Sequence, residues 1–229
     1  DGFSESTSHI YKDRMARERN HSSFPVEEMV HFLNGGEEMT EVRREIMREV
    51  EEENELLTGS DFSDLSRDEK RRETVRKVPY LYKKLVAFGD SAVKRNSALE
   101  IFSLIDLNWY VRQGVHFGLF MGALSSQGDA DQKMEWLGAT MALDLYGSFS
   151  MTELGHGSSL RGLETTATFD PSTQEFVINS PTDTSTKIWI GAASQTATHT
   201  VVFAQLMLDG ESKGVHTFIV PLRDEDSHQ

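Results

Sequence analysis

The residues with the most chemical potential lie in one run, Met151 to Asp170. There Gly155, Gly157 and Gly162 are interspersed with His156 and with the hydroxyls of Thr152, Ser158, Ser159, Thr165 and Thr166. Glycines at this density let a backbone approach a ligand closely and take positive φ angles that a side chain would forbid. The run fits neither familiar phosphate cradle. A dinucleotide loop needs glycine three residues after Gly157, where Leu160 stands, and a P-loop needs lysine after Gly162, where Leu163 stands. Metal chemistry is equally unsupported. The eight histidines, at 9, 21, 31, 116, 156, 199, 216 and 228, include no pair spaced three or four apart as a helical metal pair requires. With no cysteine, thiolate catalysis, disulfides and cysteine metal sites are all ruled out, which fits a reducing compartment. What remains is a binding loop, or a tight connection between two domains; local spacing serves both readings.

The elements around this run change character across it. Residues 1–23 are polar without period and read as a mobile arm. Phe24-Pro25 then opens a short helix that Gly35-Gly36 ends. Between Thr40 and Leu57, Val42, Ile46, Met47, Val50 and Leu57 recur at helical spacing among Glu and Arg, which predicts an amphipathic helix with one buried stripe. Ser66 with Glu69 is a capping-box signature for a helix running past Pro79 toward Val86. From Ser97 to Leu124 little polar face remains, so a core helix pair is expected. Asp129 and Gln132 cap another helix carrying Met134, Trp136, Leu137, Met141 and Leu145, whose aromatic and Met positions read as packing residues.

After Gly147 the period becomes that of strands. Thr166–Phe169 and Glu175–Ile178 flank the turn residues Asp170-Pro171-Ser172-Thr173. Lys187–Ile190, His199–Leu208 and Gly214–Leu222 give three more strands, the last two joined by an Asp209-Gly210 turn. Five strands without crossover helices predict an antiparallel sheet or barrel. The expected organisation is α+β and multidomain: an arm over 1–23, an all-α domain over 24–147 and a β-domain over 148–229.

Charge and length narrow the partners. A net charge of −14 opposes general attraction to nucleic-acid phosphates. Basic runs such as Arg67 to Arg72 are broken by Asp68 and Glu69 and read as a solvated helix face. No run approaches the roughly 18 apolar residues of a membrane span, and the first residues lack the pattern of a signal peptide.

The run Thr152-Glu153-Leu154-Gly155-His156-Gly157-Ser158, continued by Arg161-Gly162-Leu163-Glu164-Thr165-Thr166-Ala167-Thr168, resembles the flavin-binding segment of acyl-CoA oxidases. A second block, Lys187-Ile188-Trp189-Ile190-Gly191-Ala192-Ala193, is similar to their Lys-Trp-Trp-x-Gly-Gly segment, with Ile188 for the first tryptophan and Ala192 for the second glycine. Glu175–Pro181 and Phe218–Arg223 match in order, and a weaker likeness reaches back to Ala16–Arg19.

The resemblance implies a peroxisomal, dimeric flavoprotein of fatty-acid β-oxidation that binds FAD. It would oxidise acyl-CoA to trans-2-enoyl-CoA and pass electrons to O2 to give hydrogen peroxide. It also implies a further C-terminal helical region, carrying the glutamate base, beyond Gln229. Carried over by position, Thr152, Gly191 and Trp189 would contact the flavin and Ser158 the CoA portion of the substrate. A core role for Trp189 stands beside that reading, and neither Glu153 nor Glu164 matches the family's base. Two alternatives accompany it: an acyl-CoA dehydrogenase, against which Gly191 stands where dehydrogenases carry threonine, and a truncated, non-catalytic isoform or binding module.

Overall fold

The computed structural model describes residues 5–52, 62–224 and 227. The chain forms two compact units, one comprising Asp1–Asp61 with Lys84–Ile105, the other Phe62–Lys83 with Asp106–Gln229.

The first unit is helical. The segment expected as an arm is a helix over Glu5–Asn20, exposed from Lys12 onward. Helix Val26–Asn34 follows Pro25 and stops at Gly35, whose φ of 86° is a left-handed conformation that glycine takes without a Cβ penalty. Helix Glu37–Glu52 turns Ile46 and Val50 inward while Met47 is exposed; Leu57, the last member of the predicted stripe, lies outside the described residues. Helix Ala92–Ile105 packs against it, tied by a two-pronged bond from Arg43 to the Glu100 carboxylate at 2.6 and 3.1 Å.

The second unit carries the binding loop. Helix Arg67–Ala87 begins with the predicted capping box: the Ser66 N–H donates to Glu69 Oε2 at 2.8 Å and Ser66 Oγ accepts from the Glu69 N–H at 3.3 Å. Pro79 lies inside this helix. Asp106 caps the next helix, Leu107–Gln113, by accepting from the Asn108 and Trp109 N–H groups, and it also receives Lys77 Nζ at 3.1 Å. The chain then widens into a π-helical segment, Gly114–Phe120, before resuming as helix Met121–Gln127. Helix Ala130–Ala142 carries the second predicted capping box, Asp129 with Gln132. Of its supposed packing residues, Trp136 joins the core, whereas Met134 and Met141 are exposed.

The π-helical segment places His116 fully inside the protein. Its Nδ1 accepts from the Gly147 N–H at 2.9 Å, so Nε2 carries the proton that is donated to the Thr140 carbonyl at 3.0 Å. Burial lowers its pKa to about 4, against a partial opposing effect of the Thr140 carbonyl and with help from the Arg112 charge. The ring is therefore a neutral clamp between helix and sheet. Gly147 has no latitude here, because a Cβ would lie 2.1 Å from Phe120 Cγ.

The sheet corrects the antiparallel expectation: it is mixed. Strand β1 (Gly147–Ser150), which the sequence reading missed, runs parallel to β4 (His199–Leu208), and β2 (Thr166–Asp170) is also parallel to β4. Antiparallel pairing is confined to β2 with β3 (Glu175–Asn179) and β4 with β5 (Glu211–Pro221). β4 is the hub. β5 pairs along nearly its whole length, while β1 faces His199–Val202 and β2 faces Gln205–Met207. Alternation along β4 feeds two cores, Val201 packing with Phe120 and Leu145, and Val202 and Ala204 with Ala167. The β4–β5 turn takes positive φ at both Asp209 (52°) and Gly210 (80°), as a two-residue hairpin requires.

Lys187–Ile190 is a second correction, since it is not a strand. Only Lys187 makes a β-bridge, to Glu153, and Trp189 and Ala192 sit at φ 61° and 70°. Left-handed residues so close together end the extended path that the apolar alternation suggested.

Candidate functional site

The loop after β1 is held from beneath by one buried carboxylate. Glu153 is 1 % exposed. Its Oε2 accepts from the Glu164 N–H at 2.8 Å, and its Oε1 from the Thr165 N–H at 2.9 Å and from Lys187 Nζ at 3.1 Å. Burial alone would raise the Glu153 pKa, but these donors outweigh it and hold the carboxyl below its ordinary value. Lys187 is pulled down by burial, with Glu153 partly offsetting this, and also donates to the carbonyls of Met151 at 3.1 Å and Phe203 at 2.7 Å. One ion pair thus joins the loop, the start of β2, the second sequence block and β4.

Backbone bonds continue the same arrangement. The N–H groups of Leu154 and Gly155 donate to the carbonyls of Thr186 and Thr184 at 2.9 and 2.8 Å, and the Ile188 N–H donates to the Thr152 carbonyl at 3.1 Å. Segment 152–155 therefore lies along 184–188. This requires glycine at 155, where a Cβ would stand 2.9 Å from Thr184 Cβ. The expected positive φ angles are absent from Gly155, Gly157 and Gly162; the positive-φ glycines of the described residues lie elsewhere. The loop uses glycine for close packing against itself.

Glu164 forms a second hub on the outer side. Its carboxylate accepts from Thr182 Oγ1, from His156 Nε2 at 2.9 Å and from Thr184 Oγ1 at 2.8 Å, and those donors lower its pKa to about 2. Gly162 leaves the room that His156 occupies, since a Cβ there would meet His156 Nδ1 and Ser159 Oγ, both at 3.1 Å. Both loop carboxylates are occupied, Glu153 by two backbone N–H groups and Lys187, Glu164 by the side chains of His156, Thr182 and Thr184, so neither is placed as a general base.

The residues singled out from sequence separate into three groups. Thr152 and Trp189 are brought together through the bond between the Thr152 carbonyl and the Ile188 N–H. Trp189 is 93 % exposed in this chain, and its left-handed backbone is rare for a bulky residue. Gly191 lies at the edge of a cavity of about 610 Å³ and faces Val115, whose Cγ2 would be 3.5 Å from a Cβ at that position. Ser158 is exposed, and no hydrogen bond among the described residues joins it to the other three. Sequence reasoning missed the anchoring role of Glu153 and Lys187, although a lysine and a glutamate inside two glycine-bearing blocks were the available signal. It also missed Arg112, the one Lys or Arg in the apolar stretch from Ser97 to Leu124.

The segments carrying Thr152 and Trp189 can present a half-buried threonine and an exposed indole to a flat ligand, and Gly191 leaves its own cavity edge free of a side chain. That donor set fits an aromatic ring system with a polar edge, such as a flavin.

Comparison with known proteins identifies two family matches, acyl-coenzyme A oxidase N-terminal over residues 25–145 and acyl-CoA dehydrogenase, middle domain, over residues 148–228. Acyl-coenzyme A oxidase 2 of Yarrowia lipolytica is 45 % identical over 216 residues, covering 93 % of this chain and 30 % of the relative. Peroxisomal acyl-coenzyme A oxidase 1 of Phascolarctos cinereus is 40 % identical over 220 residues, covering 94 % and 32 %. The solved structure of acyl-CoA oxidase-1 in Caenorhabditis elegans complexed with FAD and ATP superposes with a TM-score of 0.75 at 32 % identity, covering 91 % of this chain and 32 % of that one. The chain spans about a third of the length of the curated relatives it matches.

Proposed function

The chain belongs to the acyl-coenzyme A oxidase N-terminal family, and from that membership we propose that it is the helical and flavin-edge portion of an FAD-dependent acyl-CoA oxidase. The overall reaction is α,β-dehydrogenation of an acyl-CoA thioester to the trans-2-enoyl-CoA, with O2 reduced to hydrogen peroxide. The observation that carries this reading is the Glu153–Lys187 pair, which ties the two family segments into one rigid unit with Thr152 and Trp189 on its outer side.

Bound FAD would supply the hydride acceptor and the electron path to oxygen. The work of this chain is to hold and orient. Thr152 offers a hydroxyl and backbone groups to the polar edge of the flavin ring, and Trp189 an aromatic face. Gly191 keeps the ring's approach free of a side chain. Ser158 is assigned to the CoA portion of the substrate. Glu153 and Glu164 keep the loop in shape, so the α-proton is taken by a carboxylate supplied from outside the loop. Peroxisomal residence follows the name of a relative, and assembly as a homodimer is part of the same proposal.

Adding FAD to the 229-residue chain tests the core of this reading. Flavin fluorescence should be quenched on binding, and Gly191→Val and Trp189→Ala should each weaken the quenching. Unchanged fluorescence in the wild-type chain, with a full-length protein that also takes up no flavin, would remove the proposal. A second reading, acyl-CoA dehydrogenase, is favoured by the family match over residues 148–228. Oxygen exposure of the substrate-reduced full-length protein separates the two: rapid peroxide release belongs to the oxidase, and stable reduction until a protein acceptor is added belongs to the dehydrogenase.

A further inference from the structure

Arg112 is 9 % exposed, yet its Nε and both terminal nitrogens are shielded from solvent without a single acceptor among the described residues. Its guanidinium carbon lies 5.1 Å from the centroid of the Tyr146 ring. Stacking on an aromatic face offsets part of the lost hydration but satisfies none of the five N–H donors. A buried guanidinium without an anion is costly, and in folded proteins such a group has a partner.

The place where that partner would come from is the cavity of about 610 Å³ that Arg112 borders. Four of its lining residues are cations, Arg67, Lys70, Arg71 and Arg112, and none is a carboxylate. Asp68 lies just outside and pairs with Arg71 at 3.0 Å. Asn108 and Thr196 add neutral hydrogen-bonding groups to the wall, and Val111 and Val115 an apolar side. In a chain whose net charge is −14, this is a local reversal of sign.

We propose that this cavity is an oxyanion site, in which a carboxylate or phosphate group on a ligand is received by the guanidinium of Arg112. The side chain turns from the Tyr146 ring toward the cavity it already borders, and exchanges a cation–π contact for two-pronged hydrogen bonds. Lys70 and Arg71 draw the anion in by charge, and the valine side accommodates the apolar part of a ligand that carries the anion at its end. Gly191, assigned above to the flavin edge, lines the same cavity, so flavin binding is followed separately by fluorescence and its failure is distinguished from failure of the anion site.

The test uses the 229-residue chain at fixed ionic strength, with chloride replaced stepwise by inorganic phosphate in one arm and by adipate in the other. Two signals are followed: the NMR resonance of the Arg112 Nε–H, and Tm. The expected result is a saturable displacement of that resonance together with a rise in Tm of roughly 2–4 °C for each kcal/mol of binding. Arg112→Gln should show no Tm response and Arg112→Lys a weaker one. A response to adipate alone supports a carboxylate-tailed ligand, and a response to phosphate alone supports a phosphate-bearing one. The proposal fails if neither probe displaces the wild-type resonance, or if Arg112→Gln responds as the wild type does.

Discussion

Glu153 and Arg112 are both buried ions in the same compact unit, and their surroundings differ completely. The Glu153 carboxylate has two backbone N–H donors and a lysine on it. The Arg112 guanidinium has an aromatic ring and no acceptor. The first environment spends its polar groups on holding chain segments together, and the second leaves its donors in reserve beside a cavity. A charged residue deep in a fold is therefore informative only through its partners: the satisfied ion is scaffold, and the unsatisfied one marks where something else belongs.

The contrast is broken most directly by applying one type of change to both cations. Lys187→Met leaves Glu153 buried without its charge partner, and a loss of about 3–5 kcal/mol is expected from the urea midpoint at unchanged m-value. A loss under about 1 kcal/mol would show that the backbone donors alone suffice.

His116 provides the next test, because it is neutral and fully bonded in the same interior. The unfolded chain binds a proton near the ordinary value of 6.5 and the folded chain near 4. The unfolded state therefore holds more protons between those values. The contribution is complete above 6.5 and declines as pH falls toward 4, by roughly 3 kcal/mol in all. Urea midpoints measured across that window should fall for the wild-type chain and stay flatter for His116→Gln; parallel slopes would contradict the assignment.

Arg112→Met should carry the opposite sign to Lys187→Met. Removing an unpaired buried charge while keeping its aliphatic bulk is expected to leave stability unchanged or raise it by about 1 kcal/mol. A loss comparable to that of Lys187→Met would erase the distinction between the two ions. The smallest effect belongs to Trp189→Gly, which removes an exposed side chain and suits the left-handed backbone. Global stability should move by no more than about 1 kcal/mol, upward if at all, while flavin quenching declines. A large destabilisation would mean that the indole serves the fold instead of a ligand.

Much of the fold was legible where its determinants are local. The pairs Ser66–Glu69 and Asp129–Gln132 announce helix starts because both partners of each capping box lie within four residues. Asp209-Gly210 announces its hairpin for the same reason. β1 was missed because it is only four residues long and its pairing residues, His199 to Val202, lie far along the chain. Its parallel direction, like that of β2, has no local signature either. The segment at 187–190 looked like a strand because Ile188 and Ile190 alternate with other residues, yet the decisive features were a lysine committed to Glu153 and left-handed residues at 189 and 192. Within the proposed site, Thr152 and Trp189 were singled out through the family pattern alone, and the backbone bond from the Ile188 N–H to the Thr152 carbonyl links the segments that carry them. Arg112 was hidden because a single charge in an apolar helix gives no clue to whether it is satisfied.

The pairing of β1 and β2 with β4 also sets an order of events. Glycine 147 and its neighbours leave the ribosome long before His199, the residue they pair with. Until β4 emerges, the hairpin of β2 and β3 is the one part of the described sheet whose strands are already both present. The apolar faces of Phe149 and Ala167 wait through that interval without their native cover, so assembly hinges on a late strand. A nascent chain paused before residue 199 would carry the glycine-bearing loop after β1 without the strand whose Phe203 carbonyl helps seat Lys187.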